Sequence, residues 1–440
     1  MKSSRALAFE ILLKVHKDKA YSNLALDASL DTADISAVEK AFVSALVYGV
    51  TERTITLDYQ LKKYLSQPLK KLKPQVLVIL RMGAYQLLFM DKIPVSAAVN
   101  ESVKLAKNNG CQFASGLVNA VLRKVSQNGL QLPDKKNEIL RASVEYSCPE
   151  WILNMWAEFY GKDNAVKIAE SSIGAAETVL RVNTLKTTTD ELIKLLEAEG
   201  IEAKKGSVEN SVVISKAGSL RGLEAYKNGL FHVQDVASQL CCMALDAKEG
   251  ESVLDVCSAP GGKAFTTAEY MKNNGEITAC DIYEGRLRLI SSGAERLGID
   301  IINTVCNDAS VVNPDFKKFD KIICDVPCSG LGVIRRKPEI RLKAQEDIDK
   351  LPEIQYSIMK TTSGYLKEGG VMIYSTCSLN KDENENVFYK FLKENLEFEP
   401  VRVLPDVTRC GEDTDTLTLM PHIHMSDGFF ISALRRRNKN

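Results

Sequence analysis

The chain reads as three domains of different class: an all-α first third, a small α+β module, and an α/β domain with a doubly wound, mostly parallel sheet. Three observations predict this. Apolar residues recur at helical spacing up to about residue 130. Strand-like and helix-like runs then mix over residues 140–236. Over residues 237–440, short apolar runs alternate with helical stretches, the pattern of right-handed βαβ crossovers. A length of 440 residues suffices for two or three domains. The expected boundaries are 1–130, 140–236 and 237–440.

In the first domain, Leu7, Ile11, Leu12 and Val15 follow Ser3 and Ser4, which are good N-caps. Val38 to Val50 and Leu57 to Leu65 continue the pattern. Pro74 suits a first helical turn and opens an apolar helix through Leu88. Helices follow from Ala97 to Ala106 and from Ala114 to Val125, separated by the turn Asn108-Asn109-Gly110. Ser126 to Asn137 reads as a linker, and helices extend to about Ser172.

Val179 to Asn183, Val212 to Ile214 and Leu230 to Asp235 read as strands, with a helix from Thr187 to Glu199. A strand-helix-strand-strand unit of this size is a split α+β module. Arg181, Lys186 and His232 are placed there to approach RNA, although a structural role is the plainer reading of a lone histidine. In the last domain, strands are expected at Val253–Cys257, Ile277–Asp281, Ile302–Cys306, Phe319–Asp325 and Val371–Cys377, the last introduced by Gly369-Gly370. Helices are expected between and after them.

Composition excludes several classes. No run approaches the ~18 apolar residues of a membrane span, and Arg81 interrupts the most apolar window, Val76 to Met90. Glu10 and Lys14 break any signal-peptide core, so a cytoplasmic protein with no membrane association is expected. Eleven cysteines without C-x-x-C, and only four histidines, argue against a zinc site, and no metal is expected. Most cysteines then read as small buried hydrophobes. The net charge of zero conceals an asymmetry, since residues 1–150 carry 21 Lys+Arg against 14 Asp+Glu. A basic first third points to an anionic partner there, and a solvated basic face is the bland alternative.

Three features converge on a nucleoside site. The Gly261-Gly262 loop lets backbone approach a ligand, yet fits neither the dinucleotide nor the P-loop pattern. Asp281 ends the next strand, where a carboxylate can accept from ribose hydroxyls. Asp308 follows the third strand, placed for an adenine amino group. A nucleoside without phosphate specificity fits, and S-adenosylmethionine is such a ligand.

Two strand-like runs each lead into a cysteine, Cys328 in Asp325-Val326-Pro327-Cys328 and Cys377 in Ser375-Thr376-Cys377. Ligands of a doubly wound sheet bind outside the carboxyl ends of its strands, so both thiols could face one cleft. A thiolate adding to C6 of cytosine makes C5 nucleophilic enough to take a methyl group. An acid near N3 stabilises the charge that develops. Asp325 and two cysteines match those requirements, and the residues alone leave the two thiols interchangeable. Arg335-Arg336-Lys337 is placed to meet RNA phosphates or to form a solvated charge run.

Two resemblances sharpen these readings. Ile93-Pro94-Val95, Ala98 to Val103 and Gly116 to Arg123 resemble the NusB family of helical RNA-binding domains, over roughly the first 130 residues. Lys70, Lys71, Lys73, Arg123 and Lys124 fit an RNA-facing surface. CSAPGGK at 257–263, Asp281 with Arg286, Asp308, DVPCSG at 325–330, GVIRRKPEIR at 332–341, STCS at 375–378 with Glu383-Asn384-Glu385, and DGFFISAL at 427–434 resemble the Nol1/Nop2/Sun family of RNA 5-methylcytidine methyltransferases.

The resemblances imply a NusB-like domain, an RRM-like α+β module and a Rossmann-like class I methyltransferase domain. They imply Cys377 as nucleophile, Cys328 as the residue assisting product release, and Asp325 at the base. S-adenosylmethionine would be held by Cys257, Ser258, Ala259, Pro260, Gly261, Gly262, Lys263, Asp281, Asp308 and Asp325. Val326 stands where that family often has alanine, and is expected to narrow the pocket. Cys241, Cys242, Cys280, Cys306 and Cys324 match no catalytic position and are expected in the core. Together the two resemblances imply a monomer acting on one cytidine of 16S rRNA, free or in early assembly. A tRNA or another rRNA site is the alternative substrate, and an inactive assembly or antitermination factor the alternative function.

Overall fold

The computed structural model describes residues 3–18, 22–215, 219–404 and 415–438. The chain divides into two units, Met1–Gly174 with Ile334–Lys343, and Ala175–Val333 with Ala344–Asn440.

The first unit is helical. Helices Ser4–Asp18, Ser22–Asp31, Ala37–Glu52, Thr54–Lys62, Pro74–Phe89, Val95–Asn108 and Ser115–Asn128 bury one apolar cluster. Ser36 and Glu39 form a reciprocal capping box at the third of these, satisfying two backbone donors. Its buried Val43, Leu46, Val47 and Val50 lie at helical spacing. Two glycines allow close helix crossings: a Cβ on Gly49 would meet Tyr85, and one on Gly83 would lie 2.5 Å from Leu122 Cδ1. Arg81, the charge inside the apolar helix, makes a bidentate pair with Asp58, both bonds 2.8 Å.

Helices Glu138–Glu145, Glu150–Tyr160 and Lys162–Ser171 cluster with this unit. Thr56 Oγ1 donates to Val144 O at 2.6 Å, and the Ile55 amide donates to Ser147 Oγ at 3.1 Å. The sequence reading groups these helices with the α+β module, whereas their bonds tie them to the helices before them. Ile334–Lys343 belongs here as well, carrying Arg335-Arg336-Lys337. Its Arg341 is 3% exposed and donates to Ser172 O and Oγ at 2.7 and 2.9 Å.

The second unit holds two sheets. Strands β1 (Thr178–Val182), β2 (Glu202–Lys205), β3 (Ser211–Ser215) and β4 (Phe231–Val233) form an antiparallel sheet in the order β2-β3-β1-β4. Helices Thr189–Ala198 and Glu224–Lys227 complete a β-α-β-β-α-β unit. The extra strand β2 and the second helix are absent from the sequence reading.

Arg181 does not approach RNA as expected, whereas His232 has the structural place that was its plainer reading; both are buried, at 1% and 5% exposure. Arg181 Nε donates to Glu269 Oε2 at 2.8 Å, and His232 Nδ1 lies 3.7 Å from Glu269 Oε1. Burial, then Arg181 and Arg296, push His232 down to about 3, so it is neutral. Lys186 Nζ is held by Asn228 O and Arg296 O.

Strands β5 (Ser252–Asp255), β6 (Glu276–Asp281), β7 (Ile302–Cys306), β8 (Phe319–Asp325), β9 (Leu366–Thr376), β10 (Phe398–Val401), β11 (Thr416–Leu419) and β12 (Phe429–Arg436) form the large sheet. Its order is β10-β12-β9-β8-β5-β6-β7, with β11 on β12. Strands β5 to β9 pair in parallel, and β12 runs antiparallel to β9. Alternate side chains face opposite layers. Val253, Ile323 and Ile373 pack with helices Val236–Leu245, Gly262–Tyr270 and Glu284–Leu297. Leu254, Ile322 and Met372 pack with Leu351–Ser363 and Glu385–Glu394. The carboxyl ends of β5, β6, β8 and β9 thus deliver the loops of interest together.

Candidate active site

The loop after β5 carries Cys257 to Gly261. The Ser258 amide donates to Cys280 O, and the Gly261 amide to Ser258 O, each at 2.7 Å. Ala259-Pro260 is cis. Gly261 has φ +106°, and a Cβ there would lie 2.5 Å from Phe265 Cζ. Only glycine takes that conformation without strain.

Asp281, at the end of β6, accepts from the Tyr283 amide at 3.0 Å and pairs with Arg286 Nη1 at 2.9 Å. Arg286 Nη2 also donates to Ala259 O at 2.8 Å, so one guanidinium ties the glycine loop to Asp281. Asp308 lies two residues beyond β7 and is exposed. Ser310 Oγ and the Ser310 amide donate to it and hold its carboxyl below the usual range.

Lys263, one turn into the helix after the loop, pairs with Asp325 Oδ2 at 2.7 Å. Burial, the largest single influence, pulls the ammonium down, but Asp325 with Cys241 and Cys242 together raise it and the net shift is upward. Ser375 Oγ donates to the other Asp325 oxygen at 2.7 Å. Register puts these two opposite each other, since Asp325 of β8 pairs with Ser375 of β9.

The same register carries both cysteines to one place. Cys328 follows β8 by three residues, and Cys377 follows β9 directly. Their sulfurs are 3.1 Å apart, and both residues are half-buried. The hydrogen bond to Cys377 and burial raise the Cys328 thiol well above its ordinary value, with Cys377, Glu383 and Asp325 adding to it. A thiol so shifted stays protonated and can donate to a neighbouring thiolate.

Some residues sit differently from expectation. Val326 is buried within the apolar cluster that includes Ile322 and Cys324. Cys306 is exposed, at the end of β7 near the sheet edge. Cys241, Cys242, Cys280 and Cys324 are buried as expected. Burial pushes the Cys257 thiol upward, and it is half-buried.

Two residues of the site have no role in the sequence reading. Asp255 ends β5 at 1% exposure, and neither carboxylate oxygen has a hydrogen-bond partner. Burial pushes its pKa up to about 7. Its signal was available: it ends the strand before the glycine loop as Asp281 ends the next. Glu383, fully buried, accepts from both cysteine loops. Among the described residues, no group of three or more His, Cys, Asp or Glu could hold a metal, and no helix is long and apolar enough to cross a membrane.

An open glycine cradle, a ribose-type acid at Asp281 and an orphaned buried carboxylate suit a ligand that combines a nucleoside with a cationic end. The chain's likenesses agree with that chemistry. A family model described as 16S rRNA methyltransferase RsmB/F matches residues 242–435. The NusB family matches 2–127, and an RsmF/B-like methyltransferase ferredoxin-like domain matches 148–221. A probable ribosomal RNA small subunit methyltransferase B of Bacillus subtilis is 38% identical, covering 99% of each chain. One from Synechocystis is 33% identical, covering 99% of this chain and 100% of its own. A solved structure, the crystal structure of PH0851, is 25% identical, with TM-score 0.85 and 99% of each chain covered. The chain belongs to the ribosomal RNA small subunit methyltransferase B family, S-adenosylmethionine-dependent enzymes of the Sun/Nop2 type.

Proposed function

We propose that this protein methylates C5 of one cytidine of 16S rRNA through a covalent Cys377–C6 adduct, with Cys328 assisting release. The observation that carries this reading is the pair of thiols 3.1 Å apart at the ends of neighbouring parallel strands. Cys377 adds as thiolate to C6, N3 takes up a proton from water, and the Asp325 carboxylate holds the base by accepting from N3–H. C5 of the resulting enamine is then the nucleophile. S-adenosylmethionine supplies an electrophilic methyl on a sulfonium. After transfer, water takes the proton from C5, the C6–S bond breaks, Cys377 leaves as thiolate, and N3 returns its proton to water.

The loop Cys257-Ser258-Ala259-Pro260-Gly261-Gly262-Lys263 would hold the cofactor. Asp281 would accept its ribose hydroxyls, Asp308 would face its adenine, and Lys263 would fix Asp325. Asp255 would face the cationic end. The basic helical unit, residues 1–130 by the sequence boundaries, would meet RNA phosphates. The protein would act as a cytoplasmic monomer on free or early-assembly RNA, with the target base out of its stack.

RNA carrying 5-fluorocytidine at the target should form a denaturation-resistant adduct through Cys377. If Cys377→Ala still traps it, the role assignment is wrong. Bisulfite sequencing of rRNA with and without the protein should show one lost methylcytidine; an unchanged 16S pattern overturns the substrate.

A further inference from the structure

Beneath the two cysteines lies a buried carboxylate that the reaction described above does not use. Glu383 has no solvent exposure. Its Oε2 accepts from the Ser329 amide at 2.7 Å and from Gln355 Nε2 at 2.9 Å. Its Oε1 accepts from Ser378 Oγ at 2.8 Å and, in a very short bond, from Ser329 Oγ. Ser329 follows Cys328, and Ser378 follows Cys377. The two serine hydroxyls also meet each other at 2.7 Å. Gln355 Nε2 reaches on to Pro327 O at 3.0 Å, the residue before Cys328. Tyr374, three residues before Cys377, donates to the Glu383 carbonyl. Next to it, Asn384 Nδ2 donates to Ser378 O at 2.9 Å and its Oδ1 accepts from Thr376 Oγ1.

We propose that Glu383 is a positioning residue that clamps the Cys328 and Cys377 loops to each other and presents its negative charge to the pair. Three arguments carry this. First, a buried carboxylate is costly unless its lone pairs are met. Four donors meet these, and three of them come from the residues immediately after the two cysteines. A carboxylate kept only to stabilise the fold would not need both its oxygens on the cysteine loops. Second, the two loops leave different strands and would otherwise be joined by few bonds near the sulfurs, such as the Gly332 amide to Cys377 O at 2.9 Å. Holding two thiols in contact requires supports of this kind, because a shift of about 1 Å in a reacting pair can cost ~10²-fold in rate. Third, the sign of the charge matters. An anion near Cys328 disfavours a second anion there and keeps its proton available for Cys377.

The inference rests on the covalent mechanism proposed above, and the experiment separates the two. Wild type, Glu383→Gln and Ser378→Ala are compared for S-adenosylmethionine binding by calorimetry and for the rate of trapping 5-fluorocytidine RNA. Alkylation of Cys328 by iodoacetamide is followed by mass spectrometry across pH. Glu383→Gln keeps the shape but turns one acceptor into a donor facing donors. It should bind the cofactor as wild type does and trap RNA at least ~10²-fold more slowly, with kcat reduced and KM for RNA little changed. Its Cys328 alkylation profile should move to lower pH, a shift that a merely structural role would not produce. Equal trapping by wild type and a cofactor-binding Glu383→Gln overturns the positioning role alone. Wild type that traps nothing overturns the covalent mechanism and this inference with it. Should Glu383→Gln not fold, Ser378→Ala removes the Cys377-side bond to Glu383, together with the contacts of that hydroxyl to Ser329 Oγ and the Asn380 amide. A wild-type trapping rate in that variant overturns the clamp, and slower trapping supports it.

Discussion

Replacing Arg181 with methionine tests whether that cation is a buried counter-ion or an RNA contact. Arg181 is 1% exposed and donates to Glu269 Oε2 at 2.8 Å and to Glu209 O at 3.1 Å. Burial raises Glu269 to about 7 even with Arg181 pulling it down. Without Arg181 the carboxyl rises further. Below about pH 6 both proteins then carry a protonated Glu269, and the variant loses only hydrogen bonds, about 1–3 kcal/mol. Above pH 7 the wild type ionises Glu269 and the variant does not. Each further pH unit costs the variant about 1.4 kcal/mol that the wild type does not bear. At about pH 8.5 the pH-dependent part thus reaches ~2 kcal/mol. A unit of this size shifts Tm by roughly 2–4 °C per kcal/mol. Scanning calorimetry should therefore show a Tm deficit that widens between about pH 6 and 8.5 by roughly 4–8 °C. Arg181→Met/Glu269→Gln should recover most of it, because no unpaired charge remains buried. An unchanged Tm with weakened RNA binding at fixed salt would refute the reasoning and restore Arg181 to the RNA surface.

Gly261→Ala must place a β-carbon at φ +106° and 2.5 Å from Phe265 Cζ. A strain of about 1–2 kcal/mol should weaken S-adenosylmethionine binding roughly tenfold by calorimetry, with RNA affinity unchanged; equal cofactor affinity would remove the loop from the site. Cys328→Ala should let an adduct with unmodified RNA accumulate as a slow band on denaturing gels, and rapid turnover counts against the release role. Asp255, raised to about 7 in the fold from 3.8, gives stability that is full below about pH 4 and lost as pH rises through about 7. Asp255→Asn should flatten that part of the Tm–pH curve, and an unaltered slope would show Asp255 to be solvated.

The parallel strands are legible because each is short, apolar and buried on both faces, as Val253-Leu254 and Ile322-Ile323 show. The helices of the first unit are legible from a one-sided period. Strand β2 is not, because Glu202-Ala203-Lys204-Lys205 sits at a sheet edge and is mostly exposed, so it carries no alternation. Strand β9 starts earlier than its glycines imply: Leu366 already pairs with Phe319, and a register shift separates that contact from Val371 opposite Lys321. Arg181 misleads for a different reason. Charge type reads as surface, and only the fold reveals that Glu269 from a helix 88 residues away buries with Arg181. The thiol pair is legible as two strand ends, but the 3.1 Å contact depends on the β8–β9 register. Glu383 is visible only as part of a motif, because its four bonds draw on three separate segments.

Two thiols in contact cannot both ionise cheaply, so one proton is shared between them. The bond to Cys377 and burial, with Glu383 and Asp325 adding, push Cys328 upward. On the proposed roles Cys328 keeps the proton and Cys377 is the sulfur that accepts. On the proposed reading this asymmetry bears on roles that sequence leaves interchangeable. A donor on the attacking sulfur stabilises its thiolate before addition. The bond lapses while that sulfur is alkylated, since a thioether is a weak acceptor. It returns when the C6–S bond breaks and the thiolate reappears. Cys328 thus favours expulsion of Cys377 from the methylated base without touching the base, which is why its loss should stall the reaction after methyl transfer.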